Sequence, residues 1–266
     1  MAQKLTSNGL TMKHPALEII ILGSGTCIPS KTRGPSGIIL QSPEFTILLD
    51  GGSGTLAKMT QLSIDYKSLN FIFYTHFHPD HCIDLVPILQ ALKLSPGELN
   101  NHRLQIIGPD GLMEFIDNLS LSFGTWIKDG FGVVLYHEMN NTSSDYGFGT
   151  VTCLPMKHSS SSNGYRFNLY DKQIVYSGDT DYCEQIIDLA RHADVLILEC
   201  STPDDGKLEG HLTPTLAAKI AQQADCAHLI LTHFYPSIEH IDILPIIRNI
   251  YRGKVTLAYD SMTLKF

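Results

Sequence analysis

Short apolar runs rich in Ile, Val, Phe and Tyr recur along the whole chain, separated by segments rich in Gly, Pro, Asp and Ser. Runs of about four to eight such residues between turn-forming residues predict β-strands. The predicted strands have the sequences LEIIIL, SGIILQ, FTILLD, NFIFYT, RLQIIG, GVVLYH, TVTCLP, YRFNLY, QIVYSG, DVLILE, HLILTH and KVTLAYD. The segment YRFNLYDKQIVY predicts a hairpin with Asp171 and Lys172 at its turn.

Longer segments with helical spacing lie between these strands and predict helices over residues 83–93, 111–121, 183–192, 214–224 and 241–250. Thr213 and Pro214 supply an N-cap and a first-turn proline to the fourth helix. Pro87 predicts a late start or a kink in the first helix. The polar segments 137–149 and 158–164 predict loops. We therefore expect an α/β (α+β) fold in which two sheets pack face to face with helices outside, as one domain over residues 1–266.

The composition is that of an ordinary globular protein, with 43% hydrophobic and 17% charged residues. No apolar run approaches the roughly 20 residues that span a bilayer, and Glu18 interrupts the apolar run nearest the N-terminus, so we expect a cytoplasmic protein without membrane contact. The six cysteines form no C-x-x-C pair, which predicts reduced thiols. The net charge of −8 disfavours a broad nucleic-acid surface.

The segment YTHFHPDHC places His76, His78, Asp80 and His81 at the end of an apolar run. Burying so many titratable groups is costly unless they are paired or bind a metal ion. A polar loop that happens to be rich in histidine is the alternative interpretation.

Three further residues of ligand type, His158, Asp179 and His233, also follow apolar strands and precede polar turns. Strand ends place loop residues at defined positions, so four such ends can converge on one site. Any one of these residues alone would be an ordinary polar group at a turn. Five imidazoles and two carboxylates suit a pair of Zn²⁺ ions, or Mn²⁺ or Fe, that share one bridging carboxylate. Two ions about 3.5–4 Å apart can hold a bridging water and lower its pKa towards neutrality.

The motif H-x-H-x-D-H, followed by a His, an Asp and a final His after strands, resembles the metallo-β-lactamase fold from about residue 18 to the C-terminus. The resemblance implies a four-layer αββα sandwich with two metal ions bridged by Asp179. It assigns the remaining ligands to a first ion (His76, His78 and His158) and a second ion (Asp80, His81 and His233).

The same resemblance implies that Asp50, in ILLDGG, is a buried aspartate that orients the histidine loop by hydrogen bonds. A simple turn residue before Gly51 is the alternative. The family usually has a glycine three residues after the last histidine of the motif, and this chain has Asp84 there.

The segments LILECS and GHLTP resemble those of ribonuclease Z-like members of the fold. This resemblance implies that Glu199 orients His211, which protonates the leaving group. A surface loop pair is the alternative. The segment CIPSKTRGPSG resembles a loop that clamps RNA, which assigns Lys31 and Arg33 to substrate phosphates. Two solvated cations on a turn are the alternative here.

Ribonuclease Z carries a long arm, inserted between the equivalents of His158 and Asp179, that grips tRNA. In this chain only residues 159–178 separate the two ligands, and the predicted hairpin fills them. A smaller phosphodiester, such as a cyclic nucleotide or a short oligonucleotide, therefore fits at least as well as a tRNA precursor.

These features predict a dinuclear-zinc hydrolase of phosphodiester bonds in which a hydroxide between the ions attacks phosphorus and Asp80, His211 and Glu199 form the catalytic set. Hydrolysis of another ester class (aryl sulfate, lactone or thioester) on the same site is the alternative. A diiron oxidoreductase is disfavoured because such relatives usually carry Glu where His78 stands, and a non-catalytic binding protein would lack ligands. The resemblance to ribonuclease Z also implies a homodimer.

Overall fold

The computed structural model describes residues 15–95, 103–129 and 134–266. The strands in these ranges are β1 (Glu18–Gly23), β2 (Gly37–Gln41), β3 (Thr46–Leu49), β4 (Phe71–Phe73), β5 (Leu104–Gly108), β6 (Val134–Glu138), β7 (Ser143–Asp145), β8 (Thr150–Pro155), β9 (Asn163–Leu169), β10 (Lys172–Tyr176), β11 (Val195–Glu199), β12 (His228–Thr232), β13 (Lys254–Leu257) and β14 (Thr263–Lys265). The helices are α1 (Thr55–Gln61), α2 (Pro79–Cys82), α3 (Leu85–Lys93), α4 (Leu112–Phe123), α5 (Trp126–Asp129), α6 (Glu184–Leu189), α7 (Pro214–Ala224) and α8 (Leu244–Ile250).

The described strands form two sheets, ordered β14-β1-β2-β3-β4-β5-β6 and β13-β12-β11-β10-β9-β8-β7. One apolar cluster, which includes Ile19, Leu49, Phe167 and Ile197, fills the space between the sheets. A second cluster lies between the second sheet and α6, α7 and α8, and a third lies between the first sheet and α1, α3 and α4. Helices therefore cover the outer face of each sheet, and the predicted αββα sandwich is confirmed.

The strands that carry the site are central and largely parallel. In the first sheet β3, β4 and β5 run parallel, and in the second sheet β10, β11 and β12 run parallel. The residues of β3, β4, β11 and β12 are all buried, as expected for strands covered on both faces. Because parallel strands end at the same edge of their sheet, the loops after them meet there.

The first predicted helix, 83–93, starts late, which is one of the two outcomes that Pro87 indicated. A single turn, α2, ends at Cys82, and α3 begins at Leu85 with Pro87 as its third residue. A proline at this position removes no helical hydrogen bond, because the first N–H groups of a helix have no acceptor within it. None of the described helices has the length and apolar character needed to cross a membrane.

Three local predictions were wrong. The β9–β10 turn consists of Tyr170 and Asp171, because Leu169 pairs with Lys172; Tyr170 has φ 53°, a left-handed conformation that the sequence did not indicate. Part of the predicted loop 137–149 forms the end of β6 and the edge strand β7, whose SSD sequence has no apolar alternation. The predicted loop 158–164 overlaps the start of β9.

Three predictions remain open. The first two residues of the predicted strand 132–137 lie outside the described residues, as does most of the N-terminal segment used to predict that a secretory signal is absent. The assignment of residues 1–266 to a single domain stays a prediction.

Candidate metal centre

The histidine motif follows β4 directly and folds as a short loop and the single helical turn α2. Pro79 is the first residue of that turn, where its fixed φ suits a helix start. His76, Asp80 and His81 are buried, whereas His78 is exposed. The turn directs Asp80 and His81 inward beside residues that follow strands of the second sheet.

One group of donors contains His76, His78, His158 and Asp179. His78 Nδ1 lies 3.0 Å from His76 Nε2 and 3.1 Å from His158 Nε2. Asp179 Oδ2 lies 3.8 Å from His76 Nε2 and 3.7 Å from His158 Nε2. These four atoms surround one point, and they include the three ligands predicted for the first ion.

A second group contains Asp80, His81 and His233. His81 Nε2 lies 3.3 Å from His233 Nε2, and Asp80 Oδ2 lies 3.6 Å from His233 Nε2. Asp179 Oδ1 is 3.3 Å from both His81 Nε2 and His233 Nε2. The two oxygens of Asp179 therefore face different groups, which is the geometry of a bridging carboxylate.

These donors fit metal ions. Asp179 Oδ1 is buried and has no hydrogen-bond partner, which is costly for a carboxylate oxygen unless a cation faces it. The imidazole nitrogens of each group are only 3.0–3.3 Å apart and face one another. Neutral imidazole and carboxylate suit Zn²⁺, Mn²⁺ or Fe. The cluster can therefore bind metal.

Four of the histidines are fixed through their other ring nitrogen, which leaves Nε2 free to bind a metal. Since the partner oxygens are acceptors here, each histidine donates from Nδ1. The acceptors are Thr75 Oγ1 for His76 (3.0 Å), Asp50 Oδ2 for His81 (2.7 Å), the Gly210 carbonyl for His158 (2.9 Å) and Ser201 Oγ for His233 (3.0 Å).

Asp50 is fully buried and makes the contacts expected of a residue that orients the histidine loop. Besides the bond from His81, it accepts hydrogen bonds from Thr75 N at 2.8 Å and from the Tyr176 hydroxyl at 2.7 Å. Its φ of 55° is left-handed, a conformation that Asp tolerates better than most residues. Asp50 is thus both a turn residue and a partner of the motif.

Burial and neighbouring charges determine the protonation of the cluster. Burial, with the adjacent His81, lowers the pKa of His76 well below its ordinary value. Burial also lowers the pKa of His78. Burial opposes the charge on His81, but the carboxylates of Asp179 and Asp50 outweigh it and raise the pKa of His81 well above the ordinary value. A bound cation would compete with that proton, because metal ligands must be deprotonated.

Glu199 and His211 lie together beside the metal-binding residues. His211 Nδ1 donates to Glu199 Oε1 at 3.2 Å, and the His211 ring stacks on the His233 ring with centroids 5.7 Å apart. Glu199 also accepts hydrogen bonds from Thr180 N at 2.6 Å and Leu212 N at 3.0 Å. Burial opposes protonation of His211, but Glu199 outweighs it and raises the pKa of His211.

The two cations of the loop after β1 differ in their surroundings. Arg33 Nη1 donates to Ser24 Oγ and to the Ala258 carbonyl, both at 2.6 Å, and the Arg33 guanidinium lies 4.5 Å from the centre of the Phe234 ring. Lys31 is exposed and lines a cavity of about 300 Å³. Contact of either residue with a substrate stays a prediction, and Arg33 has an internal packing role that the sequence did not indicate.

Asp84 stabilises the start of α1, although it lies in the loop before α3. Its carboxylate accepts hydrogen bonds from Gly54 N at 3.1 Å and Leu56 N at 2.8 Å. Sequence reasoning had also missed Thr75, Ser201 and Gly210 as partners of the histidines. Each lies one or two positions from a predicted site residue in the chain, and this is the one signal that could have indicated them.

Comparison with known proteins shows the family of the chain. Residues 46–234 match the family described as "Beta-lactamase superfamily domain". The mitochondrial ribonuclease Z of Drosophila melanogaster is 29% identical over 92% of this chain, which spans only 34% of that relative. The probable metallo-hydrolase YhfI of Bacillus subtilis (strain 168) is 27% identical, with 91% of this chain and 97% of YhfI covered.

Solved structures share the fold. The crystal structure of YhfI matches with a TM-score of 0.82 at 24% identity, covering 95% of this chain and 100% of YhfI. Human tRNase Z, short form, matches with a TM-score of 0.75 at 26% identity, covering 93% of this chain and 98% of the human chain. The family match spans more than half of the sequence, and the chain therefore belongs to the beta-lactamase superfamily, in which it is similar to the ribonuclease Z-like metal-dependent hydrolases.

Proposed function

We propose that this protein is a dinuclear-zinc hydrolase of phosphodiester bonds. The observation that carries the proposal is Asp179, whose two carboxylate oxygens face separate groups of histidines, with His211 and Glu199 beside them. Relatives named ribonuclease Z support the choice of phosphodiester, although the chain spans only 34% of the Drosophila relative.

In this proposal His76, His78 and His158 hold the first ion, Asp80, His81 and His233 hold the second, and Asp179 bridges them. Two bound Zn²⁺ ions would supply an activated water and stabilise the negative charge that develops on the phosphate. Asp80 completes the second group, and its backbone contact from Cys27 N at 2.9 Å fixes the carboxylate.

His211 is the proton donor in this proposal. Its Nδ1–H points to Glu199 Oε1, so the remaining ring nitrogen can carry a proton to the departing oxygen. Glu199 is buried (1% exposed), and its carboxylate orients the His211 ring. His211 is 9% exposed, so its ring keeps a small contact with solvent.

The geometry favours a small substrate over a tRNA precursor. All residues between His158 and Asp179 are described, and they form the loop 159–162, the β9–β10 hairpin with its two-residue turn, and the segment before Asp179. No arm of the kind that grips tRNA is present in this segment. A cyclic nucleotide or short oligonucleotide is therefore the proposed substrate class, with RNA as the alternative.

The test is turnover by the zinc-loaded protein on bis-p-nitrophenyl phosphate, cyclic nucleotides and RNA. His211→Ala is expected to lower kcat by about 10²–10⁴-fold, the usual contribution of a positioned acid. His192→Ala is the matched control, because His192 is 69% exposed and pairs with Asp225. Wild-type turnover by His211→Ala, with both ions bound, would refute the role of His211.

Parallel assays decide between reaction classes. Rates on aryl phosphate, aryl sulfate, lactone and thioester substrates compare the proposed activity with the other ester classes. Metal analysis that finds mainly iron, together with oxygen consumption, would instead support an oxidoreductase.

The homodimer and the cytoplasmic location stay predictions. Light scattering of the purified protein tests whether it is a dimer.

A further inference from the structure

Asp181 lies two residues after Asp179, and its carboxylate joins three loops of the site. Asp181 Oδ2 accepts hydrogen bonds from Lys207 Nζ at 2.9 Å and from Gly210 N at 3.2 Å. The backbone N–H of Asp181 donates to the Lys157 carbonyl at 2.7 Å. These contacts connect the segments that follow β8, β10 and β11, each of which carries a residue of the proposed site.

Gly210 transmits this contact to two histidines. Its carbonyl accepts the hydrogen bond from His158 Nδ1 at 2.9 Å, and His211 follows it in the chain. With φ at 80°, Gly210 packs so closely that an added Cβ would lie 3.0 Å from His158 Nδ1. Lys207 Nζ also donates to the Leu208 carbonyl at 2.7 Å, and the same carbonyl accepts from His211 N at 3.3 Å.

The Asp181–Lys207 pair differs from an ordinary surface ion pair. The Asp181 side chain is 12% exposed and also bonds a buried backbone N–H, which makes both contacts charge-assisted and partly shielded from water. The pair between Asp188 and Arg191, by contrast, has side chains that are 61% and 53% exposed. Exposed ion pairs such as Asp188–Arg191 contribute little to the free energy of unfolding, so Asp188 provides a control of the same chemical type.

We propose that the Asp181–Lys207 pair is a clamp that positions His158 and His211 relative to Asp179. Asp181 and Lys207 are positioning residues, because they act through Gly210 and Leu208. Without the clamp, the Gly210 carbonyl no longer fixes the ring of His158, and the segment that carries His211 loses its attachment to the loop after β10. The part that concerns His211 rests on the proposed function, whereas the part that concerns His158 rests on the metal-binding geometry.

The test compares Asp181→Asn and Lys207→Gln with the wild-type protein, using Lys207→Arg as the conservative variant and Asp188→Asn as the control. Metal-free protein is titrated with Co²⁺ and followed by visible absorbance, and kcat and KM are measured with bis-p-nitrophenyl phosphate after zinc loading. Loss of such an outer contact typically costs about 10–100-fold in metal affinity or activity. In Asp181→Asn and Lys207→Gln we expect this loss of affinity for one of the two ions, with KM nearly unchanged. Lys207→Arg and Asp188→Asn should resemble the wild type.

Two results would overturn the clamp. One is binding of both Co²⁺ ions by Asp181→Asn and Lys207→Gln with wild-type affinity and spectrum. The other is equal weakening of both ions, accompanied by a lower melting temperature, since that outcome indicates a general structural role. If the wild-type protein hydrolyses no phosphodiester, the proposed function fails, while the Co²⁺ titration still decides whether the clamp positions His158.

Discussion

Replacing Glu199 with Gln tests whether one buried carboxylate both stabilises the fold and orients the proposed proton donor. Glu199 accepts hydrogen bonds on both oxygens: Thr180 N and His211 Nδ1 bond Oε1, and Leu212 N and the Ser201 hydroxyl bond Oε2. A glutamine amide has one oxygen and one NH₂ group. Whichever way the amide turns, its NH₂ group faces two donors that were previously satisfied.

The expected change in the free energy of unfolding follows from the number of donors left without an acceptor. A buried donor left without a partner costs about 1–3 kcal/mol. If the NH₂ group replaces Oε2, the Ser201 hydroxyl can rotate away and only Leu212 N loses its acceptor. We therefore expect a net loss of about 1–3 kcal/mol in the free energy of unfolding. For a chain of this length, 1 kcal/mol shifts the melting temperature by about 2–4 °C. Glu199→Gln should therefore melt roughly 2–12 °C below the wild type, as measured by calorimetry of zinc-loaded protein.

Activity provides the second readout for the same variant. The amide no longer fixes His211 through a charged acceptor, so kcat on bis-p-nitrophenyl phosphate should fall at least about tenfold. His211→Ala, by contrast, should lower kcat without a comparable loss in the free energy of unfolding. Glu209→Gln is the control, since Glu209 is exposed in the same loop. If Glu199→Gln melts and turns over like Glu209→Gln, then the buried carboxylate has neither role and the reasoning is wrong.

Three further predictions concern stability, its dependence on pH and metal removal. Asp84→Ala should lose about 1–2 kcal/mol in urea unfolding, because the N–H groups of Gly54 and Leu56 lose their acceptor; an unchanged midpoint would contradict this. Burial, with nearby Lys254, lowers the pKa of His228 to about 4, against about 6.5 when unfolded. The unfolded chain therefore binds more protons between these values, so the stability present above about pH 6.5 is lost as the pH falls to about 4. His228→Gln should reduce that loss by about 1–2 kcal/mol, as measured by urea unfolding of both proteins across this range, and parallel curves would contradict the assignment. Chelation of zinc should lower the melting temperature, and zinc at about 100 times its Kd should restore about 2.7 kcal/mol for each site that it fills; a melting temperature indifferent to zinc would oppose a native metal site.

The structure brings the predicted ligands together, whereas several predictions of the local backbone were wrong. His158, Asp179 and His233 could be grouped with the His76 motif because all four segments follow apolar strands that are easy to recognise. Strands of this kind are specified by burial, and the structure confirms their existence and the layers that they form. The assignment of each side chain to a metal or catalytic role stays a prediction that the geometry supports.

Other features depend on contacts between segments distant in the chain, which no local pattern encodes. The edge strand β7 has a polar sequence, and pairing with β8 is what makes it a strand. The left-handed conformation of Tyr170 is determined by the register of β9 and β10. The sequence places Arg33 on a turn between prolines and glycines. Its packing against Phe234 requires contact between the loop after β1 and the loop after β12.

The donors that converge on Asp179 come from both sheets: His76 and His81 follow β4, whereas His158 and His233 follow β8 and β12. Among the described residues, the apolar layer between the sheets contains none of the proposed metal ligands, yet it lies between the two sets of strands that carry them. Protein interiors are dense and transmit small displacements, so a change of one methylene group at Phe167 or Ile197 would shift one set of donors against the other. Mechanical coupling across the sandwich would therefore let remote apolar positions alter the geometry of the proposed metal site.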